Sequence, residues 1–370
     1  MKEILIDRSK SLIEEPNKGH NRFHPDIRPI IEVDEGEEVL IETRSAADNQ
    51  LSRHSSVTDL INTDSRRAHP LTGPVFIKGA EPGDLLEIEF LDVIPGDWAF
   101  TGIRPGRGYL RDYYHEPFLA IWTLRDGWAT SEQLPGAVVF GAPFMGVAAV
   151  APSQQQLLLW NKRELELSEK GGLVALPDPT SAIPAIEPIA SHGLRTVPPR
   201  ENGGNMDVKQ MTKGSKLILP VNVDGALFST GDAHFAQGDG EVCLQAIEMD
   251  SSVVVKFKVF KKGSFSSEIR WPMLSRSTYF SDPIWGMPKS FIATMGMPIR
   301  EDGSNAGEDL NTACKNALLQ MIELLVSRGL TKKQAYVICS VAVDLKISQV
   351  VDAPNFIVTA ILPEYVIDGI

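Results

Sequence analysis

Cysteine is scarce in this chain, three residues in 370, and Cys243, Cys314 and Cys339 are too scattered for a disulfide framework. Long apolar runs are missing too, and nothing approaches the roughly 20 residues that a membrane-spanning helix needs. Basic residues are in deficit: 36 Lys and Arg against 48 Asp and Glu leave a formal charge of −12. An acidic balance repels nucleic acid phosphate and anionic lipid, so no nucleic acid and no membrane partner is expected, whereas a small neutral substrate is not disfavoured. The first residues, Met-Lys-Glu-Ile-Leu-Ile-Asp, lack the apolar core and cleavage site of a signal peptide, and a cytoplasmic location is expected. With 43 % apolar and 23 % charged residues the chain has an ordinary soluble composition, which argues against disorder.

From about residue 27 to 260 the pattern is that of strands. Gly83-Asp-Leu-Leu-Glu-Ile-Glu-Phe-Leu-Asp-Val sets Leu86, Ile88 and Phe90 against Leu85, Glu87 and Glu89, the period of two of a half-buried strand. Segments 217–223 and 252–260 read the same way, and 241–248 is expected to be a further strand. Residues 177–188 are rich in proline and read as an extended connector. The tail differs: Leu310, Cys314, Ala317, Leu318, Met321, Leu324 and Leu325 recur at helical spacing, Thr331 with Gln334 forms a capping box for a second helix, and 356–362 returns as a strand. The expected fold is mainly β with α+β. A β-sandwich or barrel-like part, 1–264, carries the site, and it is joined to a C-terminal α+β unit with two helices, 265–370.

Metal-capable groups concentrate between residues 230 and 248. Asp232, His234, Asp239 and Glu241 lie within ten positions, spaced by glycines that permit close backbone approach. In an extended strand Asp232 and His234 share a face, as do Asp239 and Glu241, and a turn at 238–240 could bring the pairs together. Carboxylates and an imidazole suit a divalent ion. The same acids could equally cap backbone N–H groups of a Gly/Asp-rich hairpin. Glu201-Asn-Gly-Gly-Asn-Met-Asp207 is a second such loop, supplying Asn205 and Asp207, though an ordinary turn would also account for it. His69, pushed to extended backbone by Pro70, is a candidate ligand or acid. His192 lies in the loop leading to Asn205 and is the other candidate, while His24, His54 and His115 read as structural. Cys243 is a possible thiol nucleophile, but its place in the expected 241–248 strand favours a small buried hydrophobe.

Taken together, His69-Pro-Leu-Thr-Gly-Pro-Val-Phe-Ile-Lys-Gly-Ala-Glu-Pro-Gly-Asp, Phe100-Thr-Gly-Ile, Pro198-Pro-Arg-Glu-Asn-Gly-Gly-Asn-Met-Asp207 and Gly231-Asp-Ala-His-Phe-Ala-Gln-Gly-Asp-Gly-Glu241 resemble signatures of the acetamidase/formamidase family. The C-terminal Ala342-Val-Asp-Leu-Lys-Ile-Ser-Gln-Val-Val-Asp352-Ala-Pro-Asn fits as well, so the resemblance runs from about residue 25 to the end. It implies hydrolysis of a short-chain aliphatic amide, such as formamide or acetamide, to the carboxylic acid and ammonia by a homo-oligomer. The Glu201-Asn-Gly-Gly-Asn form leans toward formamidases. The stretch after Phe100 is shorter than in formamidases, and Phe144-Met-Gly-Val-Ala-Ala-Val-Ala-Pro lacks their His-Pro-Gly.

On this footing a divalent metal, Zn2+ or else Ca2+ in a structural role, is expected on Asp207, Asp232 and His234 with His69 close by. Glu241 is the expected general base, with His69 and His192 as further catalytic candidates. Asn205 and Asp239 are expected to steady the ligands from behind. The competing class is a non-catalytic metal- or ligand-binding β-sandwich; a thiol amidase using Cys243 is the third reading.

Overall fold

A computed structural model describes residues 1–265, 269–278 and 288–367. The alternation seen at 83–93 produces the long strand Leu85–Pro95, in which Leu86, Ile88, Phe90 and Val93 are buried and the acids between them face outward. It pairs antiparallel with Ser251–Phe260 on one side and Ser215–Pro220 on the other. Glu38–Thr43 and Met273–Arg276 extend this sheet, and Lys2–Ile4 adds a parallel edge, making six strands. An eleven-stranded sheet forms the other layer. Phe228 of the second layer meets Phe257 of the first at 5.2 Å between ring centroids, and one contiguous apolar core contains side chains of both sheets. This is the sandwich-like β architecture expected from the sequence.

The strand that matters most is Phe228–His234. It runs between Phe144–Ala149 and Glu248–Met249, also pairs with Leu71–Ile77, and is buried along its whole length. Such a strand would ordinarily be apolar throughout, because an ionised group loses its hydration there. This one carries Asp232 and His234.

The tail folds as expected into Leu310–Ser327 and Lys332–Ala342, the second started by the Thr331/Gln334 capping box. The first helix lies on a three-stranded sheet made of Phe291–Gly296, Ile357–Pro363 and Asp344–Gln349. The second is buried from Ala335 to Val341 and presses on the loop after His234. Ser340 accepts from the Cys243 N–H at 3.0 Å and donates to the Gln245 carbonyl at 2.7 Å, while the Tyr336 hydroxyl donates to the Val242 carbonyl. The side chains of the tail join the same core as those of the sandwich.

Three local readings differ from the sequence expectation. Segment 241–248 is a strand only at Glu248–Met249; before that the chain turns, with Glu241 N bonded to the Gly238 carbonyl and Leu244 N to that of Glu241. Tertiary bonds to Tyr336 and Ser340 override its strand propensity there. A sixteen-residue helix, Gln154–Glu169, interrupts the β-rich part behind a Ser153/Gln156 capping box. Gly203–Asn205, expected in a turn, is an edge strand on Phe144–Ala149.

Candidate active site

His234 sits opposite Phe144 in one strand pair and opposite Glu248 in the other. Residues directly opposite in an antiparallel pair project to the same face with their Cβ atoms about 5 Å apart. Phe144 accordingly meets the imidazole edge-on, centroids 5.0 Å apart, and the Glu248 Oε2 lies 3.3 Å from His234 Nε2. Asp232, two residues back, brings its Oδ1 to 3.5 Å from the same nitrogen. His69 comes from the segment just before Leu71–Ile77; its Nε2 is 3.8 Å from Asp232 Oδ2, and its backbone N–H is held by the Thr196 hydroxyl.

Asp207 arrives from the other flank. The N–H groups of Met206 and Asp207 both reach the Gly146 carbonyl, at 3.0 and 3.3 Å, which continues the edge strand into the site. Gly146 thus lies between Asp207 and Asp232, and a Cβ there would stand 2.6 Å from Asp207 Oδ1 and 2.8 Å from the Asp232 carbonyl oxygen. Glu241, on the turn after His234, places Oε1 4.0 Å from Nε2. Asp207, Asp232 and Glu241 all have left-handed backbone, φ 49°, 56° and 43°. Each such residue costs on the order of 1 kcal/mol and persists only where its surroundings over-determine it.

The six groups fall into an inner and an outer set. Side-chain exposure is 3 % for Asp232 and Glu248 and 1 % for His234, against 17 % for Asp207 and Glu241 and 13 % for His69. Burial pushes the Glu241 carboxyl up to about 8 and that of Glu248 up to about 7, the acids around them adding to the shift and His234 opposing it. Asp207 is raised well above the carboxylate range by burial and by Glu241. Burial also works upward on Asp232, but His69 and His234 outweigh it and hold this carboxyl below the usual range. On His234 burial acts downward, and Glu248 and Asp232 more than offset it.

Asp232 Oδ1, His234 Nε2 and Glu248 Oε2 are buried without a hydrogen-bond partner, as are Asp207 Oδ1, His69 Nδ1 and Asn205 Oδ1. Orphaned polar atoms in a protein interior are rare and costly. Two carboxylate oxygens and a nitrogen at about 2 Å from a tetrahedral cation stand roughly 3.4 Å apart. The 3.3 and 3.5 Å spacings about Nε2 match that, so the inner set fits a divalent cation. Asp207, His234 and Glu241 form a second, wider grouping of ligand-type atoms.

Several sequence expectations need correction. Asp207, 4.0 Å from Nδ1 of His234, stands with His234 and Glu241 in the wider grouping, and the inner grouping about Nε2 adds Glu248, which was not singled out. Its signal was an acid between Ile247 and Met249 in an extended stretch, legible only once the pairing with His234 is known. Asp239 does not hold the imidazole. It lies 4.0 Å from Lys209, and its N–H donates to Asp344, because the chain turns away at Gly240 with φ 112°. The residue on His234 Nδ1 is Gln237, at 3.0 Å. His192 is not brought to the cluster: it is exposed at the end of the short helix Ile189–His192, on the side of His24. Asn205 pairs with Val147 in the strand leading to Asp207. Cys243 is buried and its thiol is pushed up to about 12 by that burial, which disfavours the thiolate a nucleophile needs. Neither an open groove of about 640 Å³ lined by Asp84, Asn222, Lys261 and Phe265 nor a cavity of about 50 Å³ lined by Gln237, Lys209 and Asp344 is lined by any of the six groups.

Comparison with known proteins gives a consistent result. The profile of the Acetamidase/Formamidase family matches residues 5–369. An acetamidase of Mycolicibacterium smegmatis is 35 % identical over 366 residues, 91 % of this chain and 89 % of that protein. A formamidase of Methylophilus methylotrophus is 34 % identical over 383 residues, 98 % and 93 %. Among solved structures, a gamma lactamase from Delftia acidovorans superposes with a TM-score of 0.93 at 34 % identity, covering 100 % of this chain and 94 % of that one.

Proposed function

The chain belongs to the acetamidase/formamidase family, an amidohydrolase of short-chain aliphatic amides, and from that premise we propose that Asp232, His234 and Glu248 hold a divalent cation at its active site. Family membership sets aside the non-catalytic sandwich. The observation that supports the cation is the convergence of three buried, partnerless donor atoms, Asp232 Oδ1, His234 Nε2 and Glu248 Oε2. One imidazole and two carboxylates suit Zn2+ better than Ca2+, which prefers six or more oxygens. Such an ion supplies Lewis acidity, acidifying a water and polarising an amide carbonyl.

The chain's own groups divide the remaining work. Glu241 takes a proton from the attacking water and passes it to the departing nitrogen, so that amide and water become carboxylic acid and ammonia. Its partial exposure and its Oε1, 4.0 Å from His234 Nε2, support a group that can reach both solvent and a water at the cluster. Asp207, a buried acid whose carboxyl Glu241 pushes upward, shares with Glu241 the flank of the cluster around His234. His69 keeps Asp232 ionised from the far side.

The test is ammonia release from formamide and acetamide by protein stripped with a chelator and then reloaded. Full turnover without metal would remove the cation while leaving the amidase standing. Because one relative is named a gamma lactamase, opening of a five-membered lactam belongs in the same assay. No helix among the described residues is long and apolar enough to cross a membrane. Cytoplasmic location and homo-oligomeric assembly are part of the proposal; cell fractionation and sedimentation test them.

A further inference from the structure

Gln237 is 5 % exposed and lies three residues beyond His234. Its Nε2 donates to the backbone carbonyl of Asp207 at 2.7 Å, and its Oε1 faces His234 Nδ1 at 3.0 Å. The first bond decides the second. Turning the amide over would set Oε1 against the Asp207 carbonyl oxygen, two acceptors at hydrogen-bond distance, and aim an N–H₂ group at the ring. An oxygen facing Nδ1 requires that Nδ1 carry the hydrogen. Nε2 is then left as the ligating nitrogen, turned toward Asp232 Oδ1 and Glu248 Oε2.

The same side chain restrains Asp207, whose left-handed backbone needs an external tie. We infer that Gln237 is a positioning residue that fixes the His234 imidazole with Nε2 facing the acids and pins the Asp207 loop to the His234 loop. Nothing in its sequence context distinguished it from the glycines and acids around it. The inference rests on the proposed cation site, since Nε2 orientation is useful only toward a ligand.

Zn2+ affinity, measured by competition with a chromophoric chelator, reads the effect without activity. Gln237→Met removes both hydrogen bonds at nearly constant volume and is expected to weaken Zn2+ binding ~10–100-fold. It should lower kcat for formamide with KM moved far less. Gln237→Glu keeps an oxygen on Nδ1 but sets its second oxygen against the Asp207 carbonyl, so it is expected to bind Zn2+ more tightly than Gln237→Met and less tightly than the parent. A folded Gln237→Met protein that binds Zn2+ as tightly as the parent overturns the inference and leaves the cation site intact. A parent protein that binds no Zn2+ removes both. Should the methionine variant fail to fold, ¹⁵N-histidine spectra of the Zn2+-loaded parent decide, with His234→Gln assigning the signal. Nδ1–H with a metal-shifted Nε2 is expected, and the reverse pattern overturns the inference.

Discussion

Glu248 and His234 face each other across an antiparallel strand pair, and this places Glu248 Oε2 3.3 Å from His234 Nε2 in an almost wholly buried setting. Sheet register therefore creates the contact, and a register is harder to shift than a loop. Glu248→Gln keeps the shape but replaces an anionic donor with an amide. We expect divalent cation content to fall at least ~10-fold, with kcat/KM down by a factor of about 100. Asp207→Asn should retain most of the cation. Metal analysis of the two purified variants checks the ordering; the reverse order would return Asp207 to the ligand set.

Glu241→Gln addresses the proton rather than the ion. Its carboxyl is partly exposed and 4.0 Å from Nε2, so the amide should leave cation binding near the parent value. Loss of a positioned acid–base group costs ~10²–10⁴ in rate. Ammonia release should fall by that factor while Zn2+ titrates as before. Turnover within a few-fold of the parent would strike Glu241 from the mechanism.

Gly146 supplies room that no other residue can. A methyl group there meets Asp207 Oδ1 at 2.6 Å and the Asp232 carbonyl oxygen at 2.8 Å, and the latter is backbone in a buried central strand. Gly146→Ala is expected to cost roughly 1–3 kcal/mol in urea unfolding and to depress activity more than stability alone explains. Unchanged stability together with unchanged kcat would mean the two acids relax freely.

How much of this could be read beforehand follows from which interactions are local. The strand Leu85–Pro95 and the two tail helices were legible because alternation, helical spacing and the Thr331 cap are written within each segment. Helix Gln154–Glu169 was not. Only Leu157 and Trp160 of its residues are buried, and Leu158, Leu159 and Leu165 face outward, so its apolar stripe is blurred. At the site, Asp232, His234, Glu241 and Asp207 were candidates from residue type and glycine spacing and His69 from its place before Pro70, the family resemblance joined them, and the structure brings them together. Asp239 misled because nearness in sequence was taken for nearness in space. Glu248 and Gly146 matter through strand pairing, and pairing is a non-local property that one sequence does not print.

His20 tests the fold through pH, away from the cluster chemistry. Burial drives its imidazole pKa down to about 4 from the ordinary 6.5, with Nε2 hydrogen-bonded with the Ser229 hydroxyl at 2.7 Å and Nδ1 left without a partner. Between those two values the unfolded chain holds a proton that the folded chain does not. The contribution of neutral His20 is therefore complete above pH 6.5 and is lost as pH falls toward 4. At 1.36 kcal/mol per unit, the loss between pH 7 and 4.5 is about 2.5 kcal/mol. His20→Gln offers no titrating group, so its unfolding free energy should drop by about that much less over the same interval. Urea titrations of parent and variant at the two pH values measure this. Equal drops would show that His20 keeps an ordinary pKa in the folded protein and that the strand Gly19–His20 admits water.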